Sequence, residues 1–167
     1  MASIPVIDTP NRGSSVPLEV ASRHGAIALL AISAVLVLGT FIDLGVLWIG
    51  QRQPSAQWEF VALANTIEGF WALVLAAALS YVAMLVGGSK SAAGYRILGI
   101  GVLGIGLAGG GLGLLLASDY LALRPGIPPE GMALLTTTTF KGLGLSALYF
   151  LVLTPLGFLG LRLPSNR

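Results

Sequence analysis

Apolar residues along this chain are concentrated in four stretches of about twenty residues, at positions 25–44, 67–86, 97–116 and 142–161. Charged residues stand at or near both ends of each stretch. An α-helix rises about 1.5 Å per residue, so a helix of this length spans roughly 30 Å, the thickness of the hydrocarbon core of a bilayer. The pattern predicts an all-α, polytopic membrane protein with four transmembrane helices.

A connector rich in glycine and serine, at positions 87–94, separates the first two stretches from the last two. Such a segment predicts that the four helices are arranged as two helical hairpins. Apolar residues continue past the core stretches toward the hairpin tips. We therefore predict spans within a transmembrane domain at 23–163, at about 25–49, 60–86, 97–117 and 134–161.

Basic residues are distributed unequally between the two predicted sides of the membrane. Of the nine lysine and arginine residues, six lie near the two termini or in the middle connector, and three lie near the hairpin tips. By the positive-inside rule, we expect both termini, with tails at 1–22 and 164–167, to face the cytoplasm. The N-terminal tail contains three prolines and no apolar core, which is not the composition of a signal peptide.

Composition excludes several classes of protein. The chain is 55% hydrophobic and 10% charged, which is not the composition of a water-soluble domain. The basic residues are scattered rather than gathered into a patch, so we expect no nucleic-acid partner. The chain has no cysteine and one histidine, which leaves no thiolate metal site and no convincing catalytic set. We predict that the protein is not an enzyme.

The two hairpins resemble products of a duplication. When the halves are aligned with an offset of 73 residues, positions 66–69 (Thr-Ile-Glu-Gly) match positions 139–142 (Thr-Phe-Lys-Gly). Glu68 and Lys141 then occupy equivalent positions with opposite charges. Pairing with each other would lower the free-energy cost of placing both charges in a membrane helix.

Three ionisable residues near the membrane region have two interpretations. Counted from the cytoplasmic charges, Asp43, Glu68 and Lys141 lie at the outer boundary of the apolar core. In the structural interpretation, Glu68 and Lys141 form an ion pair and Asp43 is a lone acid near the lipid headgroups. In the functional interpretation, all three line a proton or ion path, because ionisable groups inside a membrane usually serve function.

The third span is unusually rich in glycine. Small residues on one helix face allow the backbones of neighbouring helices to approach closely, and they occur here at helical spacing. We predict that this face packs against another helix, either within the chain or in another subunit, through Gly99, Gly106, Gly110 and Gly113.

The hairpin tips carry more apolar surface than the spans require. Extended apolar surface of this kind seldom remains in water. We expect the tips either to fold against each other or to be buried in a partner, and the aromatic residues predicted to face that partner are Trp48, Trp58, Phe60 and Tyr120.

Two single residues stand out near the ends of the spans. His24, at the cytoplasmic end of the first span, has an imidazole of the kind that ligates a metal or the magnesium of a pigment, although most histidines at this depth are ordinary helix-end residues. No cofactor is predicted, and the binding of a lipid or pigment stays open. Pro155 lies inside the fourth span, where its missing N–H should bend the helix.

The hairpin-tip segments at 54–60 (Pro-Ser-Ala-Gln-Trp-Glu-Phe), 68–69, 119–120 and 124–125 resemble a loose set of small bacterial four-span membrane proteins. These include cyanobacterial membrane proteins linked with hormogonium polysaccharide production. The resemblance covers most of the four-span region and implies the architecture and a bacterial source. It implies no functional residue, because that set has no established chemistry.

These observations lead to two hypotheses on function. The first is a non-enzymatic accessory subunit of a larger bacterial membrane complex, photosynthetic or respiratory, in an inner, intracytoplasmic or thylakoid membrane. Such a subunit would contact lipid and other membrane subunits through its glycine-rich helix and apolar tips. The alternative is a small oligomeric transporter or channel whose polar path is formed by Asp43, Glu68 and Lys141.

Overall fold

The computed structural model describes residues 15–50, 55–88 and 91–162 of this chain, with side chains from residue 20 onward. Every long element in this part of the chain is helical. The first three spans are single α-helices, and the fourth has a π-helical turn between two α-helical parts. In chain order the elements are α1 (Ser15–Ile49), α2 (Ala56–Val86), α3 (Ala92–Leu123), a 3-10 turn (Arg124–Gly126), α4 (Pro129–Leu148), the π turn (Tyr149–Leu153) and α5 (Thr154–Arg162).

Four segments are long and apolar enough to cross a membrane, namely Val20–Ile49, Ala56–Val86, Ala92–Gly126 and Pro129–Arg162. Short connections join the first segment to the second and the third to the fourth. The predicted fold class, an all-α membrane protein with four transmembrane helices arranged as two hairpins, is therefore confirmed.

The helices extend further than the hydropathy pattern predicted. Helix α1 begins at Ser15, so the last eight residues of the predicted tail at 1–22 are helical. Helix α2 begins four residues early because the Ser55 hydroxyl caps it, accepting a hydrogen bond from the Trp58 N–H at 3.2 Å. Helix α4 begins five residues early, with Pro129 in its first turn, where a missing N–H has no cost. The cap at Ser55 and the backbone geometry of Pro129 favour the starts of α2 and α4, and hydropathy is insensitive to both.

The first residues of α2 and α4 are separated by the same 73 residues that relate the two halves of the sequence. Pro129, the first residue of α4, lies 73 residues after Ala56, the first residue of α2. Deeper in the two helices, Thr66 and Thr139 also lie 73 residues apart, and both are buried. Each donates its hydroxyl to the carbonyl four residues earlier, at 2.7 Å. The two hairpins thus share a plan at the level of backbone as well as sequence.

Helices α2, α3 and the fourth span form the core of the protein. Helix α1 packs along α2 and makes no comparably extended contact with α3 or the fourth span within the described residues. The arrangement is therefore three mutually packed spans with a fourth attached to one side. The buried apolar cluster contains Phe60, Leu63, Ala64, Ile67, Phe70 and Leu73 of α2, Val102 and Leu116 of α3, and Leu135, Tyr149 and Leu153 of the fourth span.

The glycine face predicted on the third span packs inside the chain. A Cβ at Gly99 would lie 3.1 Å from the Gly157 carbonyl oxygen of α5, and one at Gly113 would lie 2.8 Å from the Ser146 hydroxyl oxygen of α4. The other two predicted positions are equally close to the fourth span. A Cβ at Gly106 would lie 2.8 Å from the Thr154 nitrogen, and one at Gly110 would lie 2.9 Å from the Phe150 ring. The partner of this face is thus the fourth span of the same chain.

The disturbance predicted at Pro155 takes the form of the π turn at Tyr149–Leu153, which ends two residues before the proline. A proline inside a helix removes one backbone hydrogen bond and presses its ring on the preceding turn, and a wider turn relieves both. Tyr149 in this turn is 1% exposed. Its hydroxyl donates to the Ile67 carbonyl of α2 at 3.0 Å, which anchors the π turn to the core.

Candidate functional site

The two charges at equivalent repeat positions meet in space. The Lys141 ammonium nitrogen (Nζ) lies 2.8 Å from the Glu68 carboxylate oxygen (Oε1), joining α4 to α2. The side chains retain 59% and 43% of their exposure, respectively, so the pair lies at the surface of the helical core rather than inside it. Whatever surrounds the protein at this depth is in contact with both charges.

Both charges lie deeper along their helices than the sequence count indicated. Each is twelve residues, or about 18 Å, from the first residue of its helix. Two aromatic pairs lie near the two ends of α2. Trp48 of α1 and Trp58 of α2 have ring centroids 5.4 Å apart, and Tyr81 of α2 and Tyr95 of α3 have centroids 6.4 Å apart. Trp and Tyr concentrate at membrane interfaces. Glu68 is ten residues from Trp58 and thirteen from Tyr81, close to the middle of this interval.

A row of polar side chains leads from the hairpin tip to the ion pair along α2. Gln57, Val61, Asn65 and Glu68 are spaced by four, four and three residues, so they share one helix face. Three of these four residues are polar, and all four line one cleft between α2 and α4. The row starts in the first turn of α2 and therefore at its hairpin-tip end.

The facing row on α4 repeats the same spacing. It consists of Glu130, Leu134, Thr138 and Lys141, each 73 residues after its counterpart on α2. The first three line the same cleft, which has a volume of about 550 Å³, and Lys141 binds Glu68. Apolar side chains that include Phe60, Leu123, Ile127 and Leu135 form the remaining wall. An apolar cleft with a few convergent polar groups is typical of a site for a small ligand or for water.

Sequence reasoning recognised that Asn65 and the threonines at 136–139 could line a polar cavity, but it treated the threonine run as structural and assigned no role to Gln57 or Glu130. The 73-residue offset between the two halves of the sequence could have identified these residues. Applied together with the helical period, it places Gln57, Asn65 and Glu68 on one face and Glu130, Thr138 and Lys141 on the equivalent face.

Asp43 does not join the other two predicted charges. It is exposed on α1, it does not line the cleft, and it forms no ion pair or hydrogen bond with any residue that the structure describes. Within the described residues Asp43 is therefore not brought together with Glu68 and Lys141, because α1 packs on a different face of α2 from α4. The contact of Leu44, the next residue along, with Gly69 of α2 shows that face.

The aromatic residues of the tips pack within the chain. The Trp48 indole N–H donates to the Thr66 hydroxyl at 3.0 Å, and the Trp48 and Trp58 rings meet edge to face. Phe60 is only 5% exposed, so its prediction as a partner-facing residue is wrong. Tyr120 is half-buried and packs against the core cluster. Trp48 nevertheless remains 39% exposed, so the choice between tips folded against each other and tips buried in a partner stays a prediction.

His24 is exposed at the surface of α1. Its Nδ1 lies 2.8 Å from the Val20 carbonyl oxygen, so Nδ1 carries the proton and donates. Ligating histidines commonly make such a bond through the other ring nitrogen. The described residues contain no group of three or more His, Asp or Glu side chains that could hold a metal ion, so ligation by His24 stays a prediction.

An apolar groove lies between α1 and α3, with α2 as its floor. Two adjoining cavities of about 630 and 710 Å³ follow its length. On the α3 wall, Gly101, Gly104, Ala108 and Gly111 are spaced by three, four and three residues and lie among larger side chains that include Leu98, Ile105 and Leu112. A Cβ added at any of the three glycines would meet nothing within 4 Å. Helix α3 therefore has two small-residue faces, one packed on the fourth span and one open.

Comparison of the chain with models of known protein families, with curated proteins and with solved structures found no match.

Proposed function

We propose that this protein is a non-enzymatic accessory subunit of a larger bacterial membrane complex, photosynthetic or respiratory, and that it binds a transmembrane helix of its partner in the groove between α1 and α3. The observation that carries the proposal is the open small-residue face of α3, Gly101, Gly104, Ala108 and Gly111.

Small residues at helical spacing support a helix as the occupant. Within a bilayer, helices associate through close packing of backbones, which glycine and alanine permit and large side chains prevent. The second glycine face of the same helix has this role inside the chain, where it packs on the fourth span. Helix α1, whose extended contacts within the described residues are with α2, supplies the other wall with Leu30, Val37 and Phe41.

This proposal replaces the contact surfaces expected from sequence. The face with Gly106 and Gly113 is occupied by the fourth span, and Phe60 is in the core, so neither is available to a partner. Bacterial origin and an inner, intracytoplasmic or thylakoid membrane are parts of the same proposal and follow from the resemblance to small bacterial four-span proteins. Cytoplasmic termini are also part of it, supported by the distribution of basic residues.

The test is native purification in mild detergent from membranes of the source organism, with a groove-filling variant and a matched control. Gly104→Leu fills the groove, whereas Gly144→Leu places the same side chain on α4, where a Cβ also meets nothing within 4 Å. We expect the native chain and Gly144→Leu to purify with the same set of subunits in fixed ratio, and Gly104→Leu to lose them. Recovery of the native chain alone, or retention of the subunits by Gly104→Leu, would contradict the proposal.

The small oligomeric transporter or channel is a second candidate, favoured by the cleft between α2 and α4. Its path would consist of Glu68, Lys141 and the polar residues leading to them, without Asp43. The distinguishing experiment is ion flux in liposomes with the native chain and Glu68→Gln. Flux that disappears in a variant that still assembles would support the transporter and count against the accessory subunit.

A further inference from the structure

We infer that the cleft between α2 and α4 is hydrated and attracts cations, and that it connects the aqueous phase at the hairpin tips with the Glu68 carboxylate. This inference concerns a different surface from the groove between α1 and α3 and is independent of the docking proposal.

The first argument is the energetic cost of the ion pair. An unpaired charge at the centre of a membrane helix costs on the order of 3 kcal/mol, and pairing removes only part of that cost when the charges remain in contact with lipid. The side chains of Glu68 and Lys141 are 43% and 59% exposed near the middle of the interval between the aromatic pairs. Water in the adjoining cleft would hydrate the parts of both groups that the pair leaves free.

The second argument is the recurrence of polar groups along the cleft. Gln57 and Glu130 lie in the first helical turns, and Asn65 and Thr138 lie two turns deeper, beyond the apolar level of Val61 and Leu134. The ion pair ends the series. A bound lipid tail would have to run along all three polar levels. Water and hydrated ions make hydrogen bonds at each of them.

Other faces of the same helices expose large apolar residues, as the cleft does at Val61 and Leu134, but the cleft also has polar side chains at three levels. The outward residues Trp71 and Leu75 of α2 and Phe140 of α4 are large, apolar and 49%, 50% and 71% exposed, respectively. Thr137 is next to the cleft residue Thr138, and its hydroxyl donates a hydrogen bond to the Ala133 carbonyl at 2.8 Å. Because the hydroxyl proton is used within the helix, this side chain is compatible with contact with lipid.

The third argument is the sign of charge. The side chains that line the cleft include the carboxylates of Glu68 and Glu130, and the Lys141 ammonium compensates one of them. These three groups together have one net negative charge, and negative charge beside low-dielectric walls raises the local concentration of cations. A small hydrated cation is therefore the class of ion that the cleft attracts.

The absence of native cysteine allows a direct test with single-cysteine variants of the full chain in liposomes. Thr138→Cys reports on the cleft. Thr137→Cys is its control, because it lies within about 1.5 Å of the same depth on the lipid-facing side of the same helix. Asn65→Cys reports on the opposite wall. The probes are membrane-impermeant thiol reagents of equal size, one cationic and one anionic, added to intact and to permeabilised vesicles.

We expect the cationic reagent to modify Thr138→Cys and Asn65→Cys at least tenfold faster than it modifies Thr137→Cys. At the two cleft positions, the cationic reagent should react at least threefold faster than the anionic reagent. Adding Glu130→Gln should reduce the preference for the cationic reagent while leaving modification by the anionic one unchanged or faster. Equal, slow modification of Thr138→Cys and Thr137→Cys would show a lipid-filled cleft and overturn the inference. Faster modification by the anionic reagent would show that the cleft attracts anions, which would contradict the inferred preference for cations.

Discussion

Glu68 and Lys141 are 73 residues apart in sequence and 2.8 Å apart in space, and the same interval relates the helices that carry them. A duplicated hairpin places equivalent residues at equal depth. Opposite charges at one pair of equivalent positions can therefore neutralise each other across the interface between the repeats. The ion pair is both a mark of the repeat and a contact between its halves.

Breaking this pair should destabilise the protein. Glu68→Gln and Lys141→Gln each leave the partner charge uncompensated, and we expect a loss of about 1–3 kcal/mol in the free energy of unfolding, between the values for an exposed pair and for an unpaired charge in a span. Unfolding in mixed detergent micelles, followed by circular dichroism, measures the change. The variant with the charges exchanged, Glu68→Lys with Lys141→Glu, should recover most of the lost stability. A failure to do so would show that the ion pair does not stabilise the folded protein.

Two glycines two residues apart on α3 should respond oppositely to alanine. A Cβ at Gly113 would lie 2.8 Å from the Ser146 hydroxyl oxygen, whereas one at Gly111 meets nothing within 4 Å. We expect Gly113→Ala to lose about 1–3 kcal/mol through overpacking. Gly111→Ala should be neutral or gain up to about 1 kcal/mol from helix propensity. The unfolding assay above measures both, and equal effects would contradict the assignment of the two faces.

The hydrogen bond from Trp48 to Thr66 should hold the first hairpin tip together. Thr66→Val removes the acceptor of the indole N–H, and we expect a loss of about 0.5–1.5 kcal/mol, the usual contribution of one such bond. Thr66→Ser keeps the hydroxyl and is the control. Tryptophan fluorescence is a second measurement, because Trp48 loses its partner at 3.0 Å. If Thr66→Val had the same fluorescence spectrum and the same stability as Thr66→Ser, the hydrogen bond would not hold the hairpin tip together.

Tyr149 should anchor the π turn to α2. Tyr149→Phe keeps the ring contacts with Phe70 and Trp71 but removes the hydroxyl that donates to the Ile67 carbonyl. We expect a loss of about 1 kcal/mol and faster amide hydrogen exchange confined to the residues around the π turn. Tyr120→Phe, at a half-buried tyrosine outside that turn, is the control. Unchanged exchange in Tyr149→Phe would contradict the anchoring role.

Much of the architecture was accessible from sequence because hydropathy is a local property. Twenty apolar residues must leave water whatever lies beside them, so the four spans and the two hairpins were predicted correctly. The equivalence of Glu68 and Lys141 also followed from sequence, because a repeat preserves position along a helix. The helix starts were predicted less well, since Ser55 and Pro129 act through capping and backbone geometry rather than through polarity.

Only the tertiary structure decided which apolar surfaces meet each other. In a bilayer, a leucine gains little by exchanging lipid for a neighbouring helix, so sequence does not distinguish the packed glycine face at Gly106 and Gly113 from the open one at Gly104 and Gly111. That distinction depends on the shape of the opposing surface. The fourth span packs against one side of α3, whereas no described residue packs closely against the glycines on the other side. The separation of Asp43 from the ion pair has the same origin, because α1 and α4 pack on different faces of α2.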